Sequence, residues 1–458
     1  MAIILDKKQI GVWGIVMLTL GNIVNSSGIA VMAGDGYSGI LIFLASCFLF
    51  SLPCLIVSNF LAVHYKHDGG LYHWVYQAFG KKIAFLATWL QWVGVIVSFP
   101  AFMTFNVSLL AYSIGESWLS NNKLYIVLSS LFFVWFFTWI TSRGIKGTAK
   151  LSGFNAIFSY LIPISLLFIF ALIWLLVGTP VTHTPITMHN IFPTSSMVGV
   201  LATLGVAVFM VSGLEFSGYL INYAKSSSVY KKGMTISFII IVIAPVIAIF
   251  AMLTLLPLSN ISDSHGLMDA FKFFFNWIDF KMGNSVILAL YFLGQMASVA
   301  VLLLFTSKSM EAIANGGMLP KSFTKQNKHG ISPKVIFTQS IIISVIIIAF
   351  ALIPSLSSAY VLIIVIVGIS SIVRYVFMFA AAGKIMWQLK RSRMFYITLV
   401  SAFIGGIFSV ITFFLSFIPP IQNTMSFINY EVLLFAGVLI TVVFPIFYLM
   451  FYKKRNRS

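Results

Sequence analysis

Apolar residues along this chain run in long unbroken blocks, separated by short polar or basic stretches and without strand-like alternation. Twelve blocks can be drawn, at roughly 10–33, 39–63, 83–115, 124–141, 154–178, 197–224, 233–257, 284–315, 334–353, 357–383, 396–417 and 428–452. Each is long enough to cross a hydrocarbon layer of about 30 Å as a helix. The absence of period-two patterning excludes a membrane barrel. The pattern therefore predicts an all-α integral membrane protein with 12 transmembrane helices. The third and eighth blocks are the longest and should tilt or project from the bilayer.

Composition strengthens this reading. Of 458 residues, 60% are hydrophobic and 8% charged, against about 25% charged in soluble domains. Lipid cannot satisfy backbone polar groups, so such a chain must close its hydrogen bonds within helices. The net charge of +18 is not a nucleic-acid signal, because the basic residues sit in short clusters between blocks. With the N-terminus inside, all 28 basic residues except Lys123, Lys272, Lys281 and Arg374 fall in cytoplasmic segments. Basic residues accumulate on the cytoplasmic side, so both termini are expected there, in a cell (inner) membrane. The first block lacks a small-residue cleavage site and reads as a retained helix. Cys47 and Cys54 share one block at a spacing that suits packing, not a disulfide or a metal knuckle. No separate soluble domain is visible; the longest outer loop, about 258–283, is too short for a folded module.

Two blocks are interrupted. The first contains Gly21-Asn22-Ile23-Val24-Asn25-Ser26-Ser27-Gly28-Ile29, and the sixth Ser212-Gly213-Leu214-Glu215-Phe216-Ser217-Gly218. Glycine and small polar residues at mid-membrane depth have poor helix propensity, and the two breaks occupy corresponding places in the two halves of the chain. Such paired breaks mark transporter binding sites, offering N–H groups to a carboxylate and carbonyls to a cation. Close helix packing is the alternative explanation of the glycines.

The same runs carry a family resemblance. Gly21–Ile29 resembles the unwound helix-1 motif of the amino acid–polyamine–organocation superfamily. Asp68-Gly69-Gly70-Leu71-Tyr72 with Ala78-Phe79-Gly80 resembles its loop after helix 2, and Ser212–Glu215 its helix-6 segment. Gly316-Gly317-Met318-Leu319-Pro320, Phe323 and Asn327-Lys328-His329-Gly330 resemble its loop after helix 8. Phe414-Leu415-Ser416-Phe417-Ile418-Pro419-Pro420 adds likeness to the bacterial glutamate/γ-aminobutyrate antiporter group. The resemblance implies a five-plus-five inverted repeat with helices 1 and 6 unwound. Its repeats would cover about 10–178 and 197–383 of a core at 10–383, between a cytoplasmic segment 1–9, helices 11 and 12 at 396–452 and a basic tail 453–458. It implies transport of amino acids or their amines, often by exchange. It also places Phe209, six residues before the helix-6 glutamate, at the family's aromatic gate. Departures are the bulkier Asn25-Ser26-Ser27-Gly28, Asn59 where an acidic residue is usual, and no lysine in 151–178.

Few residues can carry chemistry. Of ten acidic residues only Glu215 lies mid-span. A bilayer-centre charge costs about 2.5–3.5 kcal/mol even on insertion scales, so Glu215 must be protonated, paired or lining a wet cavity. It is a candidate proton-coupling or gating residue, or a structural hydrogen bonder. Arg374, the one basic residue within a span, can pair with Glu215, bind a substrate carboxylate, close the inner gate, or snorkel. Asn25, Ser26, Ser27, Gly28, Phe209, Ser212, Gly213 and Leu214 form the candidate substrate site. Lys308 and Glu311 read as a cytoplasmic clamp. His183 and His189 are weak metal candidates, and no metal or cofactor is expected. An intramembrane enzyme would need a catalytic cluster that one carboxylate cannot supply, and no channel filter stands out. The expected function is a pH-sensitive amino acid or amine exchanger, with a small-molecule partner, the lipid bilayer and a homodimer as possible associations. Proton or sodium symport is the alternative, with Ser298 and helix-1 carbonyls as sodium ligands.

Overall fold

The computed structural model describes residues 10–23, 28–65, 70–143, 151, 153–177, 186–192, 203–262, 265–353, 356–388, 393–418 and 427–455. Among them there is no strand, only an isolated parallel bridge between Ile10 and Ala224. Among the described residues, ten helices are long and apolar enough to cross a membrane. The first and last predicted spans account for the difference from twelve. The first is divided into α1 (Val12–Ile23) and α2 (Ile29–Gly34), with residues 24–27 outside the described set.

The chain continues through α3 (Tyr37–His64), α4 (Gly70–Phe79), α5 (Lys81–Ser113), α6 (Lys123–Ser142) and α7 (Gly153–Val177). The sixth span is short helix α8 (Leu204–Met210), a break, and a 3-10 stretch Leu214–Asn222. Then come α9 (Ser227–Leu255), α10 (Gly266–Trp277), α11 (Lys281–Asn315), α12 (Pro333–Ala351), α13 (Leu356–Gln388) and α14 (Arg393–Leu415). The last span, α15, runs from Phe427–Val438 through a π turn at Leu439–Val443 into Phe444–Arg455. Local chemistry sets several starts: Asn122 accepts from Tyr125 N at 3.1 Å, Ser226 accepts from Val229 N at 3.2 Å, and Pro333 opens α12. α5 and α11 have 33 and 35 residues, and α13 also has 33. At 1.5 Å per residue these lengths are about 50 Å, well beyond the hydrocarbon core.

Small residues bring the central helices together, as expected where hydrophobicity cannot drive association between helices in lipid. A Cβ at Gly39 would lie 1.9 Å from the Met32 carbonyl oxygen, so α3 turns back directly against α2. A Cβ at Gly368 would lie 2.8 Å from the Gly205 carbonyl oxygen, which seats α8 on α13. One at Gly28 would lie 2.4 Å from Met210 Cγ, so the two interrupted spans touch. Close packing and interruption therefore coincide at Gly28. The outer face of α6 is the opposite case, with Leu124, Leu128, Phe132, Trp135 and Trp139 exposed along one stripe, as a lipid-facing helix requires.

Two amphipathic helices flank the bundle. On α4, Trp74 is buried under the 3-10 stretch, where a Cβ at Gly218 would lie 2.6 Å from its ring. The loop 258–283, expected on the outer side, holds α10, which the sequence reading left without structure. Phe271, Phe274 and Phe275 on one face of α10 pack against Phe170 of α7, with Phe274 and Phe170 stacked at 3.9 Å. The other face carries a polar cluster. Tyr112 of α5 donates to Asp269 Oδ1 at 2.6 Å, His265 Nε2 lies 3.9 Å from Asp269 Oδ2, and Lys272 donates to Ser117 at 2.8 Å.

Burial pushes His265 below its ordinary 6.5, with Asp269 opposing. Burial pushes Asp269 above 3.8, opposed by His265, the Tyr112 hydrogen bond and Lys272. The depressed histidine keeps its stability contribution above 6.5 and loses it as the pH falls through that value, because the unfolded chain then binds the proton more readily. Asp269 acts in the opposite sense, its charge opposing the fold as the pH rises from 3.8. Between about pH 7.5 and about pH 5 the thermal midpoint of the purified protein should therefore fall further in wild type than in His265→Gln. Overpacking the α8–α13 contact with Gly368→Val should destabilise the protein by about 1–3 kcal/mol, read as a lower thermal midpoint in detergent.

Candidate functional site

The interruption of the sixth span is set by Gly213, whose φ of 113° lies in the left-handed region that favours glycine. α8 ends at Met210, and the 3-10 stretch restarts at Leu214. Beside the break is a cavity of about 80 Å³. Gly21 of α1 and Phe209, Ser212, Gly213 and Phe216 of the sixth span form one wall. Gly94, Val95, Ser98 and Phe102 of α5 form another, and Ser298 and Leu302 of α11 with Val367, Ser371 and Arg374 of α13 close it. Since a water needs about 10–15 Å³ of such volume, the space suits a handful of water molecules or one small polar group.

The site's electrostatic centre runs from Arg374 on this wall to Glu215 behind it. Glu215 and Arg374 are both almost fully buried, and Arg374 Nη2 is 3.1 Å from Glu215 Oε1. The other carboxylate oxygen accepts from the Tyr375 hydroxyl and from the Gly213 N–H at 3.2 Å. That N–H also donates to the Tyr375 oxygen at 2.6 Å. Glu215 thus meets Arg374 at one oxygen, as an ion pair without hydrogen-bond geometry, and two hydrogen-bond donors at the other. The Arg374 guanidinium lies between the Phe216 ring, 5.4 Å from its centroid, and the Tyr375 ring, at 4.7 Å. Cations gain from such ring faces, more so when desolvated.

Of the residues singled out from sequence, Phe209, Ser212, Gly213 and Arg374 line the cavity. Glu215 stands behind Arg374 and is not on the wall, and Leu214 is buried. Gly28 packs on Met210 away from the lining. Asn25, Ser26 and Ser27 lie outside the described residues, as does His183. The break was expected to offer unpaired backbone groups, but many are taken. Gly213 N–H is held by Tyr375 and Glu215, and the Phe209 carbonyl accepts from Ser212 N at 3.2 Å and Ser212 Oγ at 2.8 Å. Two of the oxygens suggested as sodium ligands also make hydrogen bonds within the protein. Ser298 donates to Gln295 O at 2.6 Å, and the Gly21 carbonyl accepts from Asn155 Nδ2 at 3.0 Å. Lys308 pairs with Glu311 at 2.7 Å and donates to Gly330 O at 2.6 Å, while Glu311 accepts from Ser332 N at 2.9 Å, tying the end of α11 to the following loop.

Sequence reasoning missed Tyr375 and Asn155. Tyr375 adjoins Arg374, and Asn155 is a polar residue at helical spacing from Ser159, which donates to it; both were legible as polar groups in apolar spans. Removing the phenol with Tyr375→Phe leaves Gly213 N–H and Glu215 short of a partner. Loss of a buried partner costs about 1–3 kcal/mol, so the thermal midpoint should drop while the protein remains folded.

The chain matches the family model for amino acid permeases over residues 10–444. It is 28% identical to an uncharacterized transporter of Legionella pneumophila over 99% of this chain and 98% of that protein. It is 24% identical to the glutamate/gamma-aminobutyrate antiporter of Lactococcus lactis over 99% of this chain and 93% of that protein. It is 22% identical to the probable agmatine/putrescine antiporter of the same species over 76% and 74%. Among solved structures, a mutant manganese transporter of Eremococcus coleocola superposes with a TM-score of 0.58 at 11% identity, covering 96% of this chain and 94% of that one. That likeness speaks for the fold alone. The helical architecture, the interrupted sixth span beside a buried cavity, and the family match over nearly the whole chain converge: this multi-pass membrane protein belongs to the amino acid permease family of the amino acid–polyamine–organocation superfamily.

Proposed function

We propose that the protein is a secondary active transporter that exchanges amino acids, their decarboxylation-product amines, or both, by alternating access around the cavity beside Gly213. The observation that carries the reading is a buried ion pair at a helix break beside that cavity, with Arg374 on the wall and Glu215 behind it. An intramembrane charge pair is expensive to maintain, and its place beside the only described break in the sixth span gives it a use. The relatives named as antiporters support exchange. Substrate would contact Phe209, Ser212, Gly213 and Arg374 first. Glu215 would couple the break to α13 and give the exchange its pH sensitivity, with Asn25, Ser26, Ser27, Gly28 and Leu214 contributing around the two breaks. The protein would work in a cell (inner) membrane with both termini in the cytoplasm, as its basic loops suggest.

The test is exchange in proteoliposomes loaded with a panel of amino acids and amines. Labelled substrate should enter only when substrate is present inside, and the pH profile should flatten in Glu215→Gln. Uptake into empty vesicles driven by a sodium or proton gradient would overturn the exchange reading in favour of symport.

A further inference from the structure

Arg374 is the one charged side chain on the cavity wall among the described residues. Its company there is neutral: the hydroxyls of Ser98, Ser212, Ser298 and Ser371 and three phenylalanine rings. The carboxylate that balances it, Glu215, sits on the far side. The guanidinium is only partly satisfied. Nη2 faces Glu215, whereas Nε is buried and has no acceptor among the described residues. A guanidinium has five N–H donors, so one that lines the cavity and meets a single oxygen of Glu215 through Nη2 has donors left for a second carboxylate.

We propose that Arg374 is the specificity-determining residue by which this cavity reads the charge of the substrate side chain, and that Glu215 is its resident counter-ion, which a side-chain carboxylate of the substrate partly displaces. The inference rests on the reading of this cavity as the transport site. Glu215 holds α13 to the break through Arg374 and Tyr375, beside a cavity of about 80 Å³. A solute with a side-chain carboxylate competes for the guanidinium and releases that tie. A solute with only ammonium groups meets the cation with nothing to offer it. Substrate and counter-ion then compete for one site, so weakening the counter-ion should strengthen apparent substrate binding.

The test uses full-length protein in proteoliposomes with L-glutamate, L-glutamine and putrescine as probes, and a thermal-shift measurement on the same preparations. In Glu215→Gln the apparent KM for L-glutamate should fall about tenfold, with a smaller change for L-glutamine. In Glu215→Gln/Arg374→Gln, which removes both charges and leaves no unpaired ion, the preference for L-glutamate over L-glutamine should fall about tenfold or more. The thermal shift induced by L-glutamate should follow the same order. A merely structural role for the pair would alter stability and maximal rate without moving that preference. Equal KM changes for both amino acids, or a preference that survives in the double variant, would overturn the proposal. Wild-type exchange of putrescine without any carboxylate substrate would also overturn it, while leaving the transport reading standing. No transport and no thermal shift in wild type with any probe would sink both.

Discussion

A carboxylate and a guanidinium taken out of water inside a membrane protein must satisfy each other or lose several kcal/mol, and this requirement organises the centre of the molecule. Removing one partner of a buried pair typically costs about 3–5 kcal/mol. Glu215 is carried by a 3-10 stretch that exists because Gly213 turns the chain, and Arg374 by the long helix α13. The pair is therefore also a bond between a broken span and an unbroken one. Tyr375 joins the same bond from the next position, so α13 contributes cation, phenol and ring face within two residues.

Glycine contacts set how close these elements can come. Gly205 and Gly368 let α8 and α13 touch through backbone, and Gly28 admits Met210 between the two interrupted spans. Those approaches bring α8, α13 and the two interrupted spans together beside the ion pair. Packing and electrostatics are thus consecutive requirements, with small residues giving the distance and charge using it.

Much of this was legible in the sequence for simple physical reasons. Bilayer thickness sets a length scale, so blocks such as Lys123–Ser142 and Pro333–Ala351 were found within a few residues of their true ends. Glu215 and Arg374 stood out because charge inside an apolar block is rare. Their partnership was one of several options, because sequence does not say which faces of two distant helices meet. α10 was missed because its helix is amphipathic and its Asp269 and Lys272 resemble loop residues until Phe271, Phe274 and Phe275 are placed on one face. The satisfaction of Gly213 N–H was missed because it depends on a hydroxyl 162 residues away.

The bridge at Ile10 has a different implication. Its N–H donates to the Tyr223 carbonyl at 3.0 Å and its carbonyl accepts from Lys225 N at 3.1 Å, directly after the 3-10 stretch. This is a latch written in main chain. Substituting side chains around it leaves both hydrogen bonds chemically available, so it is tolerant of sequence drift and invisible to residue-by-residue scanning. Whatever separates α1 from the end of the sixth span must instead act by pulling on the polypeptide itself.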